Sequence, residues 1–82
     1  MSQKIKQDIC IGQNIRRIRC SQECGQTEFA KRLQLNGYDV TRECLVKIES
    51  GRQHIPASLL IGIKNTLQTT FDELFQIAER ED

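Results

Sequence analysis

An all-α fold of five short helices around one core is what this sequence predicts. Three observations lead there. Apolar residues recur at steps of three and four through most of the chain, the helical period. The breaks between those runs fall on glycine, Asn-Gly, proline or hydroxyl residues. No segment alternates apolar and polar residues convincingly enough to be read as a strand.

Ile11, Ile15 and Ile18 step by the helical period and mark a first helix from about Asp8 to Gln22, with Arg16, Arg17 and Arg19 between and after them. Gly25 is a permissive N-cap for a second helix. Cys24 before it and Phe29 in the fourth helical position form a hydrophobic staple. That helix runs from Gln26 through Leu33, with Phe29, Ala30 and Leu33 facing inward. Asn36-Gly37 is a C-cap signal, because both residues tolerate the left-handed conformation that ends helices.

Thr41 is placed to cap a third helix whose core stripe is Cys44, Leu45 and Ile48, and Gly51 ends it. Pro56 suits the first turn of a fourth helix lined by Leu59, Leu60, Ile63 and Leu67. Thr70-Phe71-Asp72-Glu73 reads as a capping box, in which the Thr70 hydroxyl serves the Glu73 amide and the Glu73 carboxylate returns to the Thr70 amide. Phe71, Leu74, Phe75 and Ala78 then make the apolar face of a fifth helix, and Glu79 to Asp82 are expected to fray.

The 82 residues make one domain, 1–82 with an ordered core of about 8–78, near the lower limit of unaided folding. No apolar run approaches the ~18 residues that span a membrane. The polar stretch Met1 to Asp8 is no secretory signal, so a cytoplasmic location is expected. The formal net charge is only +1, but its distribution is uneven. Residues 1–70 carry eleven Lys/Arg against six Asp/Glu, and residues 71–82 one Arg against five acids. A basic body with an acidic tail suits nucleic-acid binding on one side, and an ordinary solvated charge mixture has the same counts.

Helices two and three, around a turn, have the layout of a helix-turn-helix, in which the second member presents its N-terminal side chains to base edges in the DNA major groove. The chain resembles the phage-repressor helix-turn-helix family, also called Cro/repressor-like or Xre-type, over about residues 11–75. The likeness is carried in order by Ile11-Gly12-Gln13-Asn14-Ile15-Arg16-Arg17-Ile18-Arg19, Gln26-Thr27-Glu28-Phe29-Ala30, Lys47-Ile48-Glu49-Ser50-Gly51-Arg52 and Phe71-Asp72-Glu73-Leu74-Phe75. It implies a five-helix phage-repressor-like fold and a sequence-specific transcriptional regulator, a repressor by type, acting on double-stranded DNA as a homodimer.

The resemblance also implies roles. Thr41, Arg42, Glu43, Val46 and Lys47 take the base-facing positions of helix three. Arg42 can fork onto guanine O6 and N7, and Glu43 can accept from cytosine N4. Gln26 and Arg52 take phosphate-contacting positions. Arg19 and Glu49 fall where a semi-buried ion pair ties helix one to helix three.

Three departures stand out. Six residues, Gln34 to Asp39, occupy a connection where one is usual, which lengthens helix two, the loop, or both. The placement of helix three is expected to survive as long as helices one and four hold it. Glu23 and Gly25 stand in place of a small residue and a hydroxyl cap, which weakens the start of helix two. Lys64 stands where a small core residue is common, its stem expected to snorkel along the core edge.

Leu59 and Ile61 cannot both face the core of helix four, and Phe71, Phe75 and Ile77 make helix five more apolar than a small core needs. These five are the dimer-interface candidates. The four cysteines include Cys20-x3-Cys24, with Cys10, Cys44 and His54 as conceivable further metal ligands. Free thiols acting as small hydrophobes are preferred, and no metal or cofactor is expected. No Ser/His/Asp or Cys/His set, phosphate-cradling loop or paired carboxylates suggests an enzyme, and no small-molecule effector site is evident. The alternative reading is a protein-interaction module, such as an antitoxin or anti-repressor, built on the same helices without DNA specificity of its own.

Overall fold

A computed structural model describes residues 8–78. It is a helical domain: α1 (Ile11–Ser21), α2 (Gln26–Leu35), α3 (Arg42–Glu49), α4 (Ala57–Leu67) and α5 (Phe71–Leu74). A two-residue antiparallel ladder, β1 (Asp8–Ile9) with β2 (Ile77–Ala78), joins the two ends of the described chain. No strand is expected here from the sequence pattern. Helix one is expected from about Asp8, whereas Asp8 and Ile9 pair with Ala78 and Ile77 and the helix begins at Ile11. The expectations for Met1 to Gln7 and for the fraying of Glu79 to Asp82 lie outside the described residues.

The core is one cluster in which Ile15 and Ile18 of α1, Phe29, Ala30 and Leu33 of α2, Leu45 and Ile48 of α3, Ile63 and Leu67 of α4, and Leu74 of α5 are buried together with Cys24 and Val40. Burying a side chain of this size stabilises by about 1.5–3 kcal/mol, so this cluster is the main force holding five short helices that would be marginal alone. The staple partners Cys24 and Phe29 are both in it, but Gly25 caps α2 with backbone only.

Helix ends follow local chemistry. After α2, Gly37 takes φ +95°, Tyr38 N–H donates to Leu33 O at 2.9 Å and Gly37 N–H to Gln34 O at 3.0 Å, a Schellman closure. Gly51, at φ +80°, closes α3 the same way, with Arg52 N–H donating to Lys47 O at 2.8 Å. Thr41 caps α3 by accepting from Cys44 N–H at 3.1 Å. Pro56 stands just outside α4 as its N-cap rather than inside its first turn.

The long connection resolves as a longer helix and an anchored loop. Helix two runs on to Leu35, past the expected Leu33, and leaves Leu35 86% exposed. Beyond it the chain is fixed to α4. The Tyr38 ring lies on Gly62, where any Cβ would collide with it, and Asn36 Nδ2 donates to Thr66 Oγ1 at 2.9 Å. Gln34 Nε2 also donates to Val40 O at 2.7 Å, which bridges the loop internally.

Helix five is shorter than expected. Only Leu74 is buried, Phe71 and Phe75 are each 39% exposed, and Ala78 belongs to β2. The physical reason is Asn14, a buried amide on α1. Its Nδ2 donates to Leu74 O at 2.7 Å and to Gln76 O at 2.9 Å, pulling the chain out of its helical path. Thr70 Oγ1 accepts from Glu73 N–H at 3.1 Å, but the Glu73 carboxylate faces Arg17 at 3.9 Å instead of returning to the Thr70 amide. α3 packs against α1 and α2, while α4 packs against α1 and α2 as well. Support for α3 therefore comes chiefly from helices one and two, with α4 sharing the core cluster beneath it.

Candidate nucleic-acid interface

Helix α3 divides cleanly by burial. Leu45, Ile48 and Glu49 are buried, Val46 is half-buried, and Thr41, Arg42, Glu43 and Lys47 are exposed. The apolar stripe fixes the rotation of the helix, and that rotation leaves the polar set outside. Among the described residues no hydrogen bond or ion pair engages the Arg42, Glu43 or Lys47 side chains. Arg42 and Glu43 do not pair with each other. Three charged groups are thus presented within two turns, free to meet a partner.

The C-terminal end of this face is set by Gly51. The reversal there brings Arg52 back beside the last turn, where its Nε donates to Ser50 Oγ at 3.0 Å and the residue stays exposed. The exposed cations Arg42, Lys47 and Arg52 flank one acid, Glu43.

Beneath the face lies a buried polar knot. Arg19 Nε donates to Glu49 Oε2 at 2.7 Å and Nη2 to Glu49 Oε1 at 2.9 Å, a fork that joins α1 to α3. Arg19 Nη1 donates to Cys24 O at 2.8 Å, which ties in the start of α2. The hydrogen bonds to Glu49 raise the Arg19 pKa above its ordinary value against the opposing effect of burial. Gln26 completes the knot by donating from Nε2 to Glu49 Oε1 at 3.0 Å. That amide is the group the resemblance assigns to a phosphate, and here one of its two hydrogens is given to a carboxylate.

The apolar candidates separate as well. Leu59 is half-buried and packs against the core, whereas Ile61, Phe71, Phe75 and Ile77 are exposed. Phe71 and Phe75 have ring centroids 6.0 Å apart, and Lys64 Nζ lies 5.4 Å from the Phe71 ring centroid. Lys64 is thus half-buried along an aromatic pair.

Of the cysteines, Cys24 is buried, Cys10 and Cys44 are half-buried and Cys20 is exposed, and burial pushes the Cys24 thiol pKa up. Gln53 Nε2 lies 3.0 Å from Cys44 Sγ. Among the described residues no group of three or more His, Cys, Asp or Glu is placed to hold a metal ion, and no helix is long and apolar enough to cross a membrane.

Two residues of this region escaped the sequence reading. Asn14 gave no signal, because its partners are sixty positions away. Arg16 did give one: with Arg19 and Cys20 it makes an i, i+3, i+4 stripe, and all three line a single groove against α3. No family model matches the chain, and no curated protein or solved structure matches it.

Proposed function

We propose that this protein is a sequence-specific DNA-binding regulator of the phage-repressor helix-turn-helix kind. On this reading α2 and α3 are the two helices of the motif, and α3 enters the major groove. The observation that carries the reading is the outward face of α3, where Arg42, Glu43 and Lys47 have no partner within the described protein. Arg42 and Glu43 are donor and acceptor suited to guanine and cytosine edges, and the exposed guanidinium of Arg52 suits a backbone phosphate. A rigid support favours readout, since the Arg19–Glu49–Gln26 knot fixes the helix from below. A cytoplasmic repressor working as a homodimer is the form proposed. Ile61, Phe71, Phe75 and Ile77 are the interface candidates, and half-sites stand about 34 Å apart.

The test is selection of bound duplexes from a random pool, followed by a gel-shift salt series on the selected site. The reading expects one enriched, near-palindromic sequence and affinity that falls steeply with salt. A second reading, a protein-interaction module of the antitoxin or anti-repressor kind, is favoured by the net charge of +1 and by the exposure of Leu35 and Ile61. Salt-insensitive capture of a protein partner, with no duplex enriched, establishes that reading instead.

A further inference from the structure

We infer that a DNA backbone phosphate seats in the groove between α1 and α3 and that Arg16 holds it, an inference that rests on the DNA-binding reading above. The groove, about 380 Å³, is lined by Arg16, Arg19 and Cys20 from α1, Gln26 from α2, and Val46 and Glu49 from α3, with Ser50 beyond. One of its walls is therefore Val46, half-buried on the margin of the face proposed to meet bases. A strand that runs past the end of α3 has its backbone beside this groove.

The charges inside it are of two kinds. Arg19 and Glu49 neutralise each other through two hydrogen bonds. Gln26 donates one amide hydrogen to Glu49 and, being neutral, brings no charge to the groove. Arg16 is exposed and, among the described residues, makes no hydrogen bond or ion pair. It is the uncompensated cation of the groove, so an anion entering there meets a free guanidinium able to form a forked, charge-assisted contact. The neighbouring Arg17 lines an adjoining groove, but its charge is engaged: Nη2 donates to Gln76 Oε1 at 3.1 Å and Nη1 lies 3.9 Å from Glu73 Oε1. Adjacent arginines thus have different work: Arg17 holds the C-terminal segment, and Arg16 supplies the cationic anchor that the neutral Gln26 amide lacks.

The experiment measures affinity against salt for the wild type, Arg16→Ala and Arg17→Ala on the selected duplex and on a scrambled one. Each phosphate contact contributes ~0.9 to the slope of log affinity against log salt. Arg16→Ala is expected to lower that slope by about 0.9 and to weaken both duplexes alike, whereas Arg17→Ala leaves the slope unchanged. A second readout is alkylation of Cys20 by iodoacetamide, since this exposed thiol lines the same groove. Bound duplex should slow its modification in the wild type.

If the wild type binds duplex with a steep salt dependence while Arg16→Ala keeps the full slope, the groove assignment is overturned and the regulator reading stands. Equal slope losses in Arg16→Ala and Arg17→Ala overturn it too, because bulk charge then explains both. Cys20 modified as fast in the complex as in free protein has the same meaning. Wild type that binds no duplex overturns both readings together.

Discussion

The Tyr38 ring rests on Gly62, and the fit admits no side chain at position 62. This is how a connection of six residues between Leu33 and Val40 is accommodated without loosening the helices it joins. Glycine within a helix is disfavoured by ~0.8–1 kcal/mol relative to alanine, so packing must outweigh propensity at this position. Gly62→Ala should therefore destabilise the wild type by about 1–3 kcal/mol, the usual cost of overpacking. In a Tyr38→Ala background the same change should be neutral or stabilising, because propensity alone remains. Urea unfolding of the four proteins of the cycle gives the coupling. Additive effects of the two substitutions would show that ring and helix do not share the space.

Beneath α3, Arg19 and Glu49 are both buried and joined by a fork of 2.7 and 2.9 Å. Arg19→Met leaves the Glu49 carboxylate with only Gln26 and should cost ~3–5 kcal/mol. Replacing both, as Arg19→Met with Glu49→Leu, should recover most of that loss, since apolar pairs of similar volume often match a buried ion pair. Thermal unfolding midpoints decide it. A double variant no more stable than Arg19→Met would mean that Gln26 and the Cys24 carbonyl, rather than the pair, dominate the knot.

The Asn14 amide serves two carbonyls, those of Leu74 and Gln76, with one nitrogen. Asn14→Ala should destabilise by about 1–3 kcal/mol, the range for orphaning buried polar groups. The loss should be local as well as global. Amide exchange at Gln76 and Ile77 is expected to rise more than exchange in α2, because the clamp joins only α1 to the C-terminal segment. Uniform acceleration across all helices would mean that Asn14 acts through the core instead.

These clamps also explain which parts were legible in the sequence. Thr41, Asn36-Gly37 and Gly51 act on neighbours within a few residues, so the bounds of α3 and the cap that closes α2 could be read from local chemistry, although α2 runs on to Leu35. The inward faces of α1, α2 and α4 followed from apolar period alone. The fifth helix did not, because a distant Asn14 competes for its carbonyls and a ladder claims Ile77 and Ala78. Gln26 was legible as an N-terminal residue of α2 but not as a partner of Glu49, which is twenty-three positions away. Local signals set the elements; long-range polar contacts set where the fifth helix stops and what one site residue touches.

Burial raises the Cys24 thiol pKa, and the sign of its effect on stability follows. The unfolded chain gives up this proton first, at an ordinary thiol pKa of about 8.5, while the folded protein retains it. The stability Cys24 contributes is thus complete below that pH and is lost as pH rises from there through the folded value. Cys24→Val should be less sensitive to pH than the wild type across that alkaline window, in urea midpoints measured from neutral pH upward. Parallel midpoints for the two proteins would assign the alkaline loss to other groups.

Arg42 and Arg52 bracket the exposed face of α3, and the proposed DNA-binding reading gives them two different kinds of contact. Arg42 stands in the first turn with its guanidinium free, the position from which a fork onto guanine is possible. Arg52 lies past Gly51 and is steadied by Ser50, which suits a backbone contact that carries no sequence information. Arg42→Ala should cost about 1–3 kcal/mol on the selected site and relax preference at one base pair. Its binding to scrambled duplex should change less. Arg52→Ala should weaken both duplexes by the same factor and lower the salt slope by ~0.9. Affinities for single-base variants of the site, measured at one fixed salt concentration, separate the outcomes. If Arg42→Ala lost affinity equally on every variant, while Arg52→Ala changed the ranking among them, the two assignments would have to be exchanged. That would put the reading end of the helix at its C-terminus.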